Sequence, residues 1–135
     1  MPARFMLDTH ICIYIRQKRS GEIVTRFSSL RHGEAVISVI TYGELRYGTE
    51  KSRERERAAA ILDEFVTLIP VDPLPASAAL AYAWIRANLE SRGEIIGNND
   101  LWIAAHARAA DLTLVTNNER EFRRIPGLPV ENWTR

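Results

Sequence analysis

Three carboxylates stand out by position. Asp8 ends the apolar run Phe5-Met6-Leu7, Glu44 follows the β-branched segment 36–40 through Thr41-Tyr42-Gly43, and Asp100 opens Leu101-Trp102-Ile103 after Gly97-Asn98-Asn99. Each falls where a buried strand could stop or a helix begin, and a doubly wound α/β fold gathers such places at one edge of its sheet. Carboxylates brought together repel one another unless cations neutralise them. Hard oxygen ligands of this kind suit Mg2+, with Mn2+ able to substitute. Asp8 and Asp100 are the candidate direct ligands. Glu44 would coordinate the ion or orient its water, and Glu121, just beyond the last strong strand, would hold a second ion or an outer water. Two ions about 4 Å apart would stabilise the entering and departing oxygens of a phosphodiester in hydrolysis.

The same residues have plainer uses. Asp8 can cap the helix that follows it, Asp100 suits the exposed amides of a helix start, and Thr41-Tyr42-Gly43-Glu44 has the spacing of a capping box. Thr9 could orient a carboxylate or a phosphate, while His10 could serve metal, substrate or packing. It is the joint pattern that favours a shared acidic pocket.

The elements that must position these groups follow from pattern. Residues 5–7 read as a buried first strand and 11–15 as an apolar helix, with Ser20 and Gly21 punctuating the chain before a second helix towards Leu30. Segment 36–40 reads as a strand and 50–60 as a charged, solvated helix. Segment 65–71 is a further strand candidate. Residues 77–91 predict an alanine-rich helix ended by Gly93, with Leu80, Trp84 and Ile85 as its buried stripe. Asn98 and Asn99 start a helix carrying Asp100, segment 112–116 reads as a buried parallel strand, and segment 130–133 adds a terminal strand with Trp133 as a packing anchor. The polar block 117–122 looks like another strand end bearing site residues.

A chain of 135 residues with 46% hydrophobic residues and no composition break predicts one domain over 1–135. Its apolar runs are too short to span a membrane and its start does not read as a signal peptide, so a cytoplasmic protein is expected. The lone Cys12 excludes an internal disulfide and a cysteine zinc cage. Net charge is +1, yet sixteen of the eighteen basic residues are arginine, a side chain whose planar fork suits phosphate. Arg46, Lys51, Arg53, Arg120, Arg123 and Arg124 are candidate phosphate contacts.

Four islands resemble the PIN-domain ribonucleases, specifically VapC-type toxins of type II toxin–antitoxin systems. They are Met6-Leu7-Asp8-Thr9, Ser38-Val39-Ile40-Thr41-Tyr42-Gly43-Glu44-Leu45, Gly97-Asn98-Asn99-Asp100-Leu101-Trp102, and Leu114-Val115-Thr116-Asn117-Asn118-Glu119-Arg120-Glu121-Phe122. The resemblance implies a three-layer α/β/α sandwich with a mainly parallel sheet, and a catalytic set of Asp8, Glu44, Asp100 and Glu121 supported by Thr9, His10, Thr116 and Asn118. His10 stands where such proteins usually carry Asn, and a protonated imidazole there would oppose cation binding. The implied activity is metal-dependent hydrolysis of RNA by water, leaving 5′-phosphate and 3′-hydroxyl ends, with the anticodon region of initiator transfer RNA as the implied substrate. Implied partners are a VapB-like antitoxin and a second copy of the chain; Ile11, Tyr14 and Ile15 suit dimer packing and ordinary core burial equally. The rival reading is a PIN-like RNA-binding or protein-interaction module that keeps the scaffold without cleaving.

Overall fold

The computed structural model describes residues 2–17 and 21–134. Ser20, expected to punctuate the chain with Gly21, lies outside them. Among the described residues five strands, β1 (Phe5–Leu7), β2 (Ala35–Ser38), β3 (Val71–Asp72), β4 (Thr113–Val115) and β5 (Val130–Glu131), form one sheet in the order β3-β2-β1-β4-β5. All four pairings are parallel, with Met6 beside Val36 and Leu114, and Leu7 beside Val115.

Among the described residues seven helices cover the sheet: α1 (Thr9–Gln17), α2 (Gly21–Ser28), α3 (Val39–Glu50), α4 (Arg55–Leu68), α5 (Ser77–Ser91), α6 (Asn98–Ala109) and α7 (Glu119–Phe122). Side chains alternate across a strand, and that alternation divides the core in two. Met6, Val36 and Leu114 pack with Ile85, Leu89, Leu101, Ile103 and Phe122 on one face. Phe5, Leu7, Ala35, Ile37 and Val115 pack with Ile11, Ile23, Leu45, Leu62, Phe65 and Trp133 on the other. The result is the three-layer α/β/α sandwich, its sheet wholly parallel among the described residues. Trp133 is buried edge-on against Phe5, as an anchor should be, and Cys12 is a fully buried small hydrophobe.

Several expectations are corrected. β2 stops at Ser38 because the Ser38 hydroxyl accepts from the Ile40 amide and caps α3 there. Thr41 and Glu44 therefore lie inside α3 and form no capping box at its start. The charged stretch 50–60 is broken between Glu50 and Arg55, where one helix ends and the next begins. Segment 65–71 is mostly helical. Leu62 and Phe65, three residues apart, place α4 on the core, leaving only Val71–Asp72 to pair with β2. On α5 the buried stripe is Ala78, Ile85 and Leu89, whereas Leu80 is 77% and Trp84 47% exposed. Ile11 is core, not surface, and Tyr14 and Ile15 are half-buried against the same cluster.

Helix ends are well specified. Gly93 takes φ +66° just after α5, and the Glu94 and Gly93 amides return to the Leu89 and Glu90 carbonyls, a Schellman closure. The same closure ends α6, but there the left-handed residue is Asp111 at φ 57°, with the Leu112 amide on the Ala107 carbonyl at 2.8 Å.

Candidate active site

β1 lies at the centre of the sheet. The chain winds from it to β2 and β3 on one side, then crosses to β4 and β5 on the other. The strand order therefore reverses between β1 and β4, and the crevice beyond their carboxyl ends is where open parallel sheets bind ligands. Asp8 and Thr116 are the first residues past those two strands, held in place by Asp8 N donating to Val115 O and Thr116 N to Glu131 O, each at 3.0 Å.

Asp8 is buried and does two jobs. Its Oδ1 accepts from the Ile11 amide at 2.8 Å, capping α1, while its Oδ2 accepts from the Thr116 hydroxyl at 2.5 Å. The Thr116 oxygen in turn accepts from the Asn118 amide at 2.8 Å, so Asn118 supports the site through its backbone. The capping and site-forming readings of Asp8 hold together, because each carboxylate oxygen keeps a second lone pair. Burial pushes the Asp8 carboxyl above the ordinary range, against the pull of its two hydrogen bonds and of His10; Glu44 adds to the rise.

Glu44 is half-buried on the second turn of α3, and its Oε1 accepts from the Thr9 hydroxyl at 2.6 Å. The Thr9 and Thr41 hydroxyls stand 3.3 Å apart, tying the first turn of α1 to α3. Asp100 sits in the first turn of α6, at a helix start as expected, although α6 follows a loop from α5 and not a strand; Glu44 lies a turn beyond the β2–α3 junction. The Asp100 carboxyl is pushed up to about 6, first by burial, then by the negative charges of Asp8, Glu44 and Glu121, with His10 opposing. Glu121, in α7, is thus within electrostatic reach, and His10 is exposed at the rim. Asp8, Glu44 and Glu121 thus all lie within electrostatic reach of Asp100.

Among the described residues, no three His, Cys, Asp or Glu side chains close into a ready-made metal cage. Beside the carboxylates, a trough of about 780 Å³ runs between α1 and α3, lined by Thr9, Ile13, Glu44, Tyr47, Lys51 and Asn99. Of the candidate phosphate contacts, Lys51 borders this trough. Arg46 is paired with Asp63 at 3.2 Å, and Arg124 reaches the Glu94 and Ile95 carbonyls at 3.4 Å.

Sequence reading missed two supporting groups. The buried His106 bridges Ser38, at 2.8 Å from Nδ1, and Asp72, at 2.9 Å from Nε2, pinning the ends of β2 and β3 to α6. Tyr82 on α5 stacks on Trp102 at 3.9 Å and donates to Asn98 Oδ1 at 2.6 Å, so it grips α6 on both sides of Asp100. A histidine in an apolar helix face was the available signal for the first. The second depends on a helix–helix contact that periodicity does not specify.

Comparison with known proteins decides the lineage. The family model described as PIN domain matches residues 5–128. The chain belongs to the PIN-domain family. Within it, the similarity is to VapC proteins. The chain is 42% identical over 130 residues to Ribonuclease VapC2 of Haemophilus influenzae, covering 96% of this chain and 98% of that one. It is 44% identical over 131 residues to the tRNA(fMet)-specific endonuclease VapC of Shigella flexneri, covering 97% and 98%. Among solved structures, the DNA-bound VapBC of Salmonella typhimurium superposes with a TM-score of 0.90 at 41% identity, over 97% of this chain and 98% of that one. The PIN domain described here therefore shares the fold of that matched chain along nearly its whole length. No helix among the described residues is long and apolar enough to cross a membrane.

Proposed function

We propose that this PIN domain is a metal-dependent endoribonuclease of the VapC type, held in check by a VapB-like antitoxin. The observation that carries the reading is the convergence of Asp8, Glu44, Asp100 and Glu121 at the switch point of the sheet, felt at Asp100 as repulsion from the other three. Such a donor set, all hard oxygen, fits Mg2+ or Mn2+. Mg2+ takes one or two carboxylates and keeps several waters, so a crevice without a closed cage is no obstacle. Asp8 and Asp100 would hold the ion, with Glu44 and Glu121 bound directly or through water.

When bound, the cation supplies charge for the phosphoryl oxygens and acidifies water. The protein does the positioning. Thr116 and the Ile11 amide fix both Asp8 oxygens, Thr9 fixes Glu44, and Tyr82 steadies the turn that carries Asp100. Carboxylates held this way need little reorganisation as charge develops on the phosphate. His10, at the rim, tunes this field, since protonation would place a positive charge beside the four carboxylates.

Relatives named as a tRNA(fMet)-specific endonuclease support initiator transfer RNA as substrate; its anticodon region is the part that the resemblance implies. Relatives solved as VapBC complexes support an antitoxin partner, which could silence the crevice by inserting a cationic side chain among the carboxylates. Analysis of product ends tests the chemistry. The expected products carry 5′-phosphate and 3′-hydroxyl ends, and a 2′-deoxy nucleotide at the cut position is still cleaved. Products with 2′,3′-cyclic phosphate, or a requirement for the 2′-hydroxyl, would overturn hydrolysis by water. Tight RNA binding with no cleavage under any divalent cation would favour the non-cleaving module.

A further inference from the structure

The trough between α1 and α3 is unexplained by the needs of the fold. Helix α3 carries two interior glycines, Gly43 and Gly48, each costing about 1 kcal/mol relative to alanine. Both line the trough, and a Cβ at either would meet nothing within 4 Å in this chain. Nothing inside the molecule demands that they be glycine. Space is instead kept open beside Glu44.

The trough's border has its own chemistry. Tyr47 is 65% exposed, and the Lys51 ammonium stands 4.8 Å from its ring centroid. Three residues separate Tyr47 from Glu44, about 4.5 Å along the helix and on one face. The trough continues past Ile13 to Arg16, along a second hollow of about 310 Å³ that shares Thr9, Ile13, Glu44 and Gly48. Neither Lys51 nor Arg16 forms an ion pair among the described residues. An exposed ring with unpaired cations, continuous with a carboxylate site, matches what single-stranded RNA offers: a base to stack and phosphates to neutralise.

We propose that this trough is a nucleotide subsite, taking the residue adjoining the scissile phosphate with its base against Tyr47 and its backbone towards Lys51. Gly43 and Gly48 let the ribose approach the helix. The proposal rests on the ribonuclease reading and adds a specificity element to it, since an unstacked base is required next to the cut.

Fluorescence anisotropy of a labelled single-stranded RNA in Mg2+, with the Asp8→Asn protein to prevent turnover, tests it. Adding Tyr47→Leu should weaken binding by about 5- to 150-fold, the range for losing one base–aromatic stack. Tyr47→Trp should restore it, and an RNA lacking bases should bind the intact trough as weakly as normal RNA binds the Leu variant. Lys51→Gln should lower the slope of log affinity against log salt by about 0.7, one single-strand phosphate contact. Gly48→Ala should raise thermal stability yet weaken RNA binding, separating occupancy from folding. If Asp8→Asn with the trough intact binds no RNA, the ribonuclease reading falls and takes the subsite with it. If it binds, and the Leu, Gln and Ala variants bind equally well, the subsite alone is overturned and a peptide becomes the occupant the glycines serve.

Discussion

Thr116 Oγ1 donates to Asp8 Oδ2 at 2.5 Å, joining the ends of two adjacent parallel strands across 108 positions of sequence. The bond fixes one Asp8 oxygen and draws its carboxyl down against the burial that pushes it up. Thr116→Val keeps the shape and removes the hydroxyl, leaving Asp8 Oδ2 and the Asn118 amide without this partner. The expected cost is about 1–3 kcal/mol of stability, read by urea unfolding. The Asp8 carboxyl should rise further, so protons compete better with the cation and the acid limb of the activity profile moves to higher pH. Thr116→Ser should restore both properties.

Burial, reinforced by repulsion from Asp8, Glu44 and Glu121, makes Asp100 a source of pH dependence in the metal-free protein. Its carboxyl ionises near 3.8 unperturbed and at about 6 in the fold. Between those values the folded state holds the proton that the unfolded state has released, so stability from this group is full below about pH 4 and lost as pH rises through about 6. In the presence of a chelator, Asp100→Asn should flatten the fall in melting temperature between pH 4 and 7. Mg2+ should raise the wild-type melting temperature at pH 7.5 and have little effect at pH 4.5. A metal-free wild type whose stability follows the same pH course through this window as that of Asp100→Asn would contradict the assignment.

Tyr82 offers a test of positioning. Tyr82→Phe keeps the stack on Trp102 but loses the hydrogen bond to Asn98 at the start of α6. Stability should fall by about 0.5–1.5 kcal/mol. If the turn bearing Asp100 loosens, kcat should drop several-fold with KM nearly unchanged. An equal fall in kcat at saturating Mg2+ and Mn2+ separates lost geometry from lost metal affinity.

Asp111 is strained for the sake of the chain path. It takes the left-handed conformation at the end of α6, where Gly93 does the same after α5. Asp111→Gly should stabilise the protein by up to about 1 kcal/mol without altering cleavage, since the residue is exposed and remote from the crevice.

These relationships mark how far sequence carries. The strand Phe5–Leu7 and the helix Ser77–Ser91 were legible, because each is bounded by clear signals and has one period. Segment 65–71 was not, since a short apolar run suits a helix end and a strand equally, and only packing of Leu62 and Phe65 decides. Leu80 and Trp84 misled for a related reason: the buried face of α5 runs through Ala78, Ile85 and Leu89, and only Ile85 belongs to the expected stripe. The four carboxylates were readable from their islands. Their wiring was not, because Thr9 to Glu44 and Thr116 to Asp8 are tertiary bonds made by residues with no pattern of their own. The trough beside Gly43 and Gly48 has no sequence signal either, because Thr9 and Ile13 of α1 form its other wall.

RNA hydrolysis at this site requires a cation held by these carboxylates. Cleavage of purified initiator transfer RNA by wild type and Asp8→Asn, each with Mg2+, Mn2+ or chelator, tests it most directly. Defined cleavage by the wild type with either cation, lost on chelation and at least 100-fold slower in Asp8→Asn, of order 3 kcal/mol at the barrier, is the predicted result. Equal cleavage by both proteins, or cleavage undiminished by chelator, would contradict it.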